Sequence, residues 1–237
     1  MLIFLSKYSK YIFIGVALLA TAPIIWKHRE KVGLRSKLEL ALLWVLYPGL
    51  NVIASMLFAH IESFIGSGVR AFPGSVSLYG CYFIGPLLLI AVSRLMKWNT
   101  HGVMDMYAMW GPPALALVRC HCISSGCCAG LPIGNTGLLY PVREAEIVFY
   151  MAMFFILWGM LRKNRVPGQL FPLLMVCYGS FRFINQWFRD AGASGFDTAH
   201  LWSILCAFIG LSLLFEIRAQ AAKSEKVKKP ENRRNKK

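Results

Sequence analysis

Apolar runs of membrane-crossing length recur along the chain, each broken by a short polar or basic stretch. They cover about 11–26, 38–59, 76–95, 104–119, 144–161, 168–186 and 199–217. A helix needs roughly 20 apolar residues to cross the hydrocarbon core. In lipid the backbone must satisfy its own hydrogen bonds, and a helix does so locally. The pattern therefore predicts an all-α polytopic membrane protein of about seven transmembrane helices. The run Ile12 to Trp26 passes straight into Lys27-His-Arg-Glu-Lys31. That is a stop-transfer flank, and no small-x-small cleavage site precedes it.

Composition agrees with this pattern. The 237 residues are 57% hydrophobic and only 16% charged, whereas a soluble domain carries about a quarter charged residues. The formal charge of +15 suggests nucleic acid until its distribution is considered. Nine of the 26 basic residues lie between Arg218 and Lys237, and five lie between Lys27 and Lys37. Arg94 with Lys97, and Arg162 with Lys163 and Arg165, mark two further loops. These four clusters fall on alternate sides of the helices. Basic loops stay inside, which puts the C-terminus in the cytoplasm and, with seven spans, the N-terminus outside. The division expected is a membrane domain over 1–217 and a disordered basic cytoplasmic tail over 218–237 that is drawn to anionic lipid. Nucleic acid is not an expected partner.

The loops left facing outward are 60–75, 120–143 and 187–198, and they hold most of the unusual residues. Arginine in or beside a membrane helix needs an anionic partner, and a phospholipid phosphate is the nearest one. Tyr178, Arg182 and Gln186 recur every four residues, so they share one helix face, and Arg189 falls near it. Arg119 ends the fourth run at the same outer level. Guanidinium forks on that face suit phosphate oxygens, although an arginine near a helix end also snorkels to headgroups without further function. Glu146, at the outer start of the fifth run, either orients an arginine or stabilises the helix N-terminus. Tyr79 sits where belt tyrosines sit. His200 opens the last run as a boundary histidine, and Asp105 is read as interfacial.

Gly126 and Gly130 give the loop after Arg119 a backbone that approaches a ligand closely. Cys120, Cys122, Cys127 and Cys128 with His121 invite a metal. Their C-x-C-x4-C-C spacing does not match the paired C-x2-C of structural zinc sites, so no metal is expected. A disulfide among them stays open. Cys81, Cys177 and Cys206 read as packing residues.

Four blocks in order resemble the prolipoprotein diacylglyceryl transferase family. Gly74-Ser-Val-Ser-Leu-Tyr-Gly80 is similar to its Gly-Gly-x-Ser-x-His-Gly. Arg119 to Gly130 is similar to Gly-Arg-x-Gly-Asn-Phe-x-Asn-Gly-Glu-x-x-Gly, with Arg119, Gly126 and Gly130 in register. Tyr140-Pro-Val-Arg-Glu-Ala-Glu146 is similar to His-Pro-Ser-Gln-Leu-Tyr-Glu. Pro167-Gly168, Tyr178-Gly-Ser-Phe-Arg182 and Phe188-Arg189 are similar to Gly, Tyr-Gly-x-x-Arg and Glu-Phe-x-Arg. Tyr8 is aligned with an N-terminal family tyrosine. The departures lie in the chemical core. The family's histidine is Tyr79 here, its asparagine is Cys122, and two of its glutamates are Cys127 and Gln186. The chain thus resembles a divergent, cysteine-rich member.

The resemblance implies a seven-helix enzyme of the bacterial cytoplasmic (inner) membrane, acting on its outer side. It implies transfer of the diacylglyceryl group of phosphatidylglycerol to the lipobox cysteine thiol of a prolipoprotein, by a monomer without cofactor. Arg119, Arg182, Tyr79 and Glu146 are the expected catalytic residues. Arg119, Gly126, Gly130, Tyr178, Arg182, Arg189, Cys122 and Cys127 are the expected substrate contacts. Tyrosine has a much higher reference pKa than histidine and makes a poor base near neutrality. The alternatives are a phospholipid-using transferase with another acceptor, and a non-catalytic lipid- or anion-binding membrane protein. A transporter would show repeat symmetry, and no internal repeat is visible.

Overall fold

The computed structural model describes residues 15–16, 19, 21–67, 76–163, 166–189 and 195–234, with side chains except at 66–67 and 225–234. Tyr8 and Gly74 lie outside these residues. Helix over 21–27 leads into a short turn of helix, α1 (Arg29–Val32). There follow α2 (Lys37–Ser67), α3 (Tyr79–Leu95), α4 (Thr100–Ser125), α5 (Val142–Lys163), α6 (Leu170–Gln186) and α7 (Thr198–Arg234). Among the described residues there is no named strand, only the isolated bridges Gly130–Arg189 and Pro132–Leu139. The protein is all-α, and each predicted apolar run from the second onward lies on one of these helices.

Among the described residues, three helices are long and apolar enough to cross a membrane: 37–65 in α2, all of α5, and 198–224 in α7. Their outer faces carry exposed Val148 and Phe155 on α5 and Phe208 and Phe215 on α7. Large apolar side chains in such rows suit hydrocarbon rather than water. The last helix runs well past 217, where the sequence predicts an irregular tail. The physical reason is local: residues 219–229 are mostly Ala, Lys, Glu and Gln, all good helix formers, and helix propagates readily from a formed segment.

Helix α4 lies at the centre, touching α1, α3, α5 and α6, while the closest pairs are α6 with α7, α4 with α5 and α2 with α3. Small residues allow those approaches, as in other membrane bundles. At Gly179 an added Cβ would press on the backbone of Ser203 and Ala207 in α7. Asp105 is not interfacial but buried, at 2% exposure. Its Oδ2 accepts the Gly168 amide at 2.8 Å and its Oδ1 the Leu170 amide at 3.0 Å. A carboxylate on the first free amides of α6 satisfies orphan donors and complements the helix dipole. The central helix thereby fixes where α6 begins, and so the height of Tyr178 and Arg182 one bundle-length away.

Candidate functional site

Glu146, in the first turns of α5, is fully buried. Three arginines from three separate places converge on it. Arg182 of α6 reaches Oε1 at 2.7 Å, and Arg189, just past α6, reaches it at 3.0 Å. Arg119, near the end of α4, pairs through Nε with Oε2. Asn185 donates to Oε1 at 3.2 Å and to the Val142 carbonyl at 3.3 Å. Arg182 and Arg189 are themselves buried. One carboxylate against three guanidinium groups leaves a formal surplus of two positive charges out of bulk water. Charges there persist only when paired and hydrogen-bonded, so the surplus is a standing attraction for an anion. Among the described residues, the Nε atoms of Arg182 and Arg189 have no hydrogen-bond partner.

The backbone turns that assemble this cluster are visible in the loop after α4. Gly126 caps α4 with φ +71°. Residues 131–140 double back as a small hairpin, with Tyr140 N bonded to Leu131 O at 2.9 Å and Ile133 N to Leu138 O at 2.8 Å. Gly130 lies against this hairpin so closely that any Cβ would collide with the Tyr140 carbonyl. Gly130 also bridges to Arg189, and Leu131 N bonds Phe188 O at 2.9 Å. The loop is thus pinned to the segment that carries Arg189.

The cysteines lie on the other side of Arg119. Its Nη1 points at the sulfurs of Cys122, 3.7 Å, and Cys128, 3.9 Å. The sulfurs of Cys122, Cys127 and Cys128 all lie within 4.8 Å of one another. The turn at Gly126 thus brings together sulfurs that a C-x2-C spacing does not pair. None of the seven cysteines is bridged. The Cys128 thiol is held well below the ordinary thiol range. The hydrogen bond from Cys122 is the main cause, then the Arg189 and Arg119 charges, with burial opposing them. Arg143 donates to the carbonyls of Cys122, 3.5 Å, and Cys127, 3.2 Å. Neither Arg143 nor Asn185 is singled out by sequence reasoning. Asn185 has a signal, three residues from Arg182 on the adjoining face; Arg143 has none.

Tyr178 stacks on Tyr82 at 4.2 Å and lies 6.3 Å from the Tyr150 ring, inside an aromatic cluster. Tyr79 meets it edge-on at 6.2 Å. The Tyr79 hydroxyl donates to the Ala199 carbonyl at 2.8 Å and lies 2.7 Å from Ser203 Oγ. These bonds tie α3 to α7, and the Arg182 guanidinium also lies within reach of the hydroxyl. Gln186 turns from the arginines to Asp197 Oδ2, 2.7 Å. Asp197 pairs with the buried His200 at 2.7 Å. Two open grooves lie elsewhere. One, of about 560 Å³, includes Lys27, His28 and Arg162; the other, of about 500 Å³, runs along α7.

Several known proteins are similar to this chain. A phosphatidylglycerol–prolipoprotein diacylglyceryl transferase of Clostridium tetani (strain Massachusetts / E88) is 26% identical over 156 residues, 56% of this chain and 61% of that protein. One from Paracidovorax citrulli (strain AAC00-1) is 28% identical over 136 residues, 51% of this chain and 50% of that protein. One from Dechloromonas aromatica (strain RCB) is 26% identical over 207 residues, 80% of this chain and 76% of that protein. The chain thus matches about half to three quarters of the length of these relatives. The model of the prolipoprotein diacylglyceryl transferase family matches residues 5–216, a span holding Arg119, Glu146, Arg182 and Arg189 together. On that match the chain belongs to the prolipoprotein diacylglyceryl transferase family.

Proposed function

We propose that this protein transfers the diacylglyceryl group of phosphatidylglycerol to the lipobox cysteine thiol of a prolipoprotein. The observation that carries the reading is the buried excess of guanidinium charge around Glu146. The lipid enters sideways from the outer leaflet, and Arg119 and Arg182 take its phosphate by charge-assisted hydrogen bonds. Glu146 holds the arginines in place, with Asn185 behind it. Gly126 and Gly130 shape the loop, and Cys122, Cys127, Tyr178 and Arg189 complete the walls. The acceptor thiol loses its proton, because the thiolate is the nucleophile. Its sulfur bonds the glycerol carbon that bears the phosphate ester. The carbon–oxygen bond breaks, and glycerol-1-phosphate leaves with its electron pair, its charge stabilised by the arginines.

In this reading the helices make seven spans with the N-terminus outside and the C-terminus in the cytoplasm. The membrane domain is 1–217, with a basic tail beyond it. The chain is a monomer in the bacterial cytoplasmic membrane, with the arginine cluster opening to the outer side. The alternation of basic loops supports that orientation.

The test uses membranes containing the Arg119→Ala or Arg182→Ala protein, a lipobox peptide and labelled phosphatidylglycerol. Loss of one preorganised donor to developing charge costs roughly a hundredfold or more in rate, and that is the expected fall. Wild-type transfer by both variants overturns the phosphate clamp. Label on another acceptor, and none on the peptide, moves the protein to a different transferase activity.

A further inference from the structure

We infer that Cys122, Cys127 and Cys128 form a three-sulfur site for a soft cation of the zinc class, whose open fourth position takes the acceptor thiol. This rests on the transfer reading above and supplies what that reading leaves unnamed, a means of deprotonating the acceptor thiol.

The first support is geometric. The three sulfurs lie within 4.8 Å of one another. Zinc–sulfur bonds of about 2.3 Å set tetrahedral ligands roughly 3.8 Å apart, a small contraction from that spacing. The second is that the backbone is already held in shape. Gly126 and Cys128 both have positive φ, +71° and +59°. For Cys128 this is a conformation that a non-glycine residue keeps only when its surroundings impose it. Arg143 clamps the carbonyls of Cys122 and Cys127, and Ser125 Oγ donates to the Cys127 sulfur at 3.3 Å. Such outer hydrogen bonds orient metal ligands. The third is charge. Three thiolates with one divalent cation carry a net charge of −1, which suits the Arg119 Nη1 beside them. Three bare thiolates at this separation would repel strongly. The fourth is access: Cys122 is buried, Cys128 half-buried and Cys127 exposed, so one side of the trio faces out. Soft thiolate ligands select zinc or copper(I) over hard cations, and three protein ligands with a vacant position are the pattern of reactive rather than structural zinc.

The step balances without an oxidant or reductant. The acceptor thiol binds the cation as thiolate and releases its proton to water. Its sulfur lone pair forms the bond to the glyceryl carbon as the carbon–oxygen bond breaks. The electron pair departs on the phosphate oxygen of glycerol-1-phosphate. The thioether left on the cation is neutral and a weaker ligand, so it dissociates. Arg119 touches both halves, Glu146 through Nε and the sulfurs through Nη1.

The experiment takes the full chain, purified under mild reductant and stripped with a chelator, and titrates it with Zn²⁺ alone. One equivalent per chain is expected, with loss of maleimide labelling at the three cysteines. Co²⁺ in its place gives a sulfur-to-metal charge-transfer band. Cys122→Ser and Cys128→Ser lose stoichiometric binding, and Cys120→Ser keeps it. The labelling arm needs no variant, so a misfolded mutant does not decide the matter. Sub-stoichiometric zinc in the wild-type protein, unprotected thiols, or a disulfide within the trio that mild reductant leaves closed overturns the site. Transfer to a lipobox peptide is expected to fall about tenfold or more on chelation and return with zinc, as when metal sites are disturbed. Transfer indifferent to chelator removes the thiol-activating role and leaves the transferase reading standing. Zinc binding with no transfer in any metal state removes that reading and leaves the site.

Discussion

Arg162 and Arg182 carry the same guanidinium in two different worlds. Both belong to the surroundings of α5, whose first turns hold Glu146 and whose last turn holds Arg162, about 24 Å away at 1.5 Å per residue. Arg162 is exposed and lies over the Trp158 ring at 4.2 Å. Nearby, Arg29 sits over Trp26 at 4.7 Å, and Lys31 donates to the Leu161 carbonyl at 3.0 Å. These cations meet an aromatic face or a backbone carbonyl, one cation to each. At the other end three arginines share one carboxylate, and all are buried or nearly so. A basic end that anchors in headgroups needs only charge and a flexible stem. A basic end that works on a ligand needs fixed forks, and fixing them takes an acid at the centre. Glu146 is what separates the two ends.

Removing that acid breaks the contrast most severely. Glu146→Ala strands three buried guanidinium groups, a loss of about 3–5 kcal/mol by analogy with broken buried pairs. A large drop in thermal midpoint in detergent micelles is expected, together with loss of transfer. A midpoint like wild type would mean that the arginines find other partners at no cost. Next comes Arg182→Lys, which keeps the charge but not the fork. The midpoint should hold within a few degrees, while transfer falls roughly a hundredfold, the scale of one lost donor. Equal transfer by lysine would reduce the cluster to a diffuse field. Gly130→Ala is expected to do less. It pushes the Tyr140 carbonyl off the loop that is bridged to Arg189, with overpacking of about 1–3 kcal/mol. Phosphatidylglycerol dependence should weaken more than maximal rate, which a titration of the lipid in mixed micelles would read. Arg162→Ala should do least, with transfer unchanged. A fall there as large as that at Arg182 would erase the distinction between the two ends.

The sequence made the helices legible because burial in lipid is written in run length, and run length is local. It also made Arg182 and Arg119 legible, since arginine beside an apolar run is conspicuous. Boundaries are less readable: the second apolar run stops near 59, whereas α2 continues to Ser67. The polar and apolar residues of 60–67 all tolerate helix, so nothing local marks an end. The role of Asp105 is not legible locally, because its partners, the amides of Gly168 and Leu170, lie more than sixty residues away. The turn to Asp197 hid the fate of Gln186 in the same way. The gathering of Cys122, Cys127 and Cys128 depends on two positive φ angles that residue spacing does not encode.

The seat that Asp105 gives to the first amides of α6 has a mechanical consequence. A helix has almost no axial compliance, so its far tip moves with its base. From Leu170 to Arg182 the rise is about 18 Å, and a slip of one residue at the base would swing the tip by about 100° around the axis. Arg182 would then face lipid tails in place of Glu146. A carboxylate well away from the arginine cluster therefore acts as the index mark for the rotation of the whole helix.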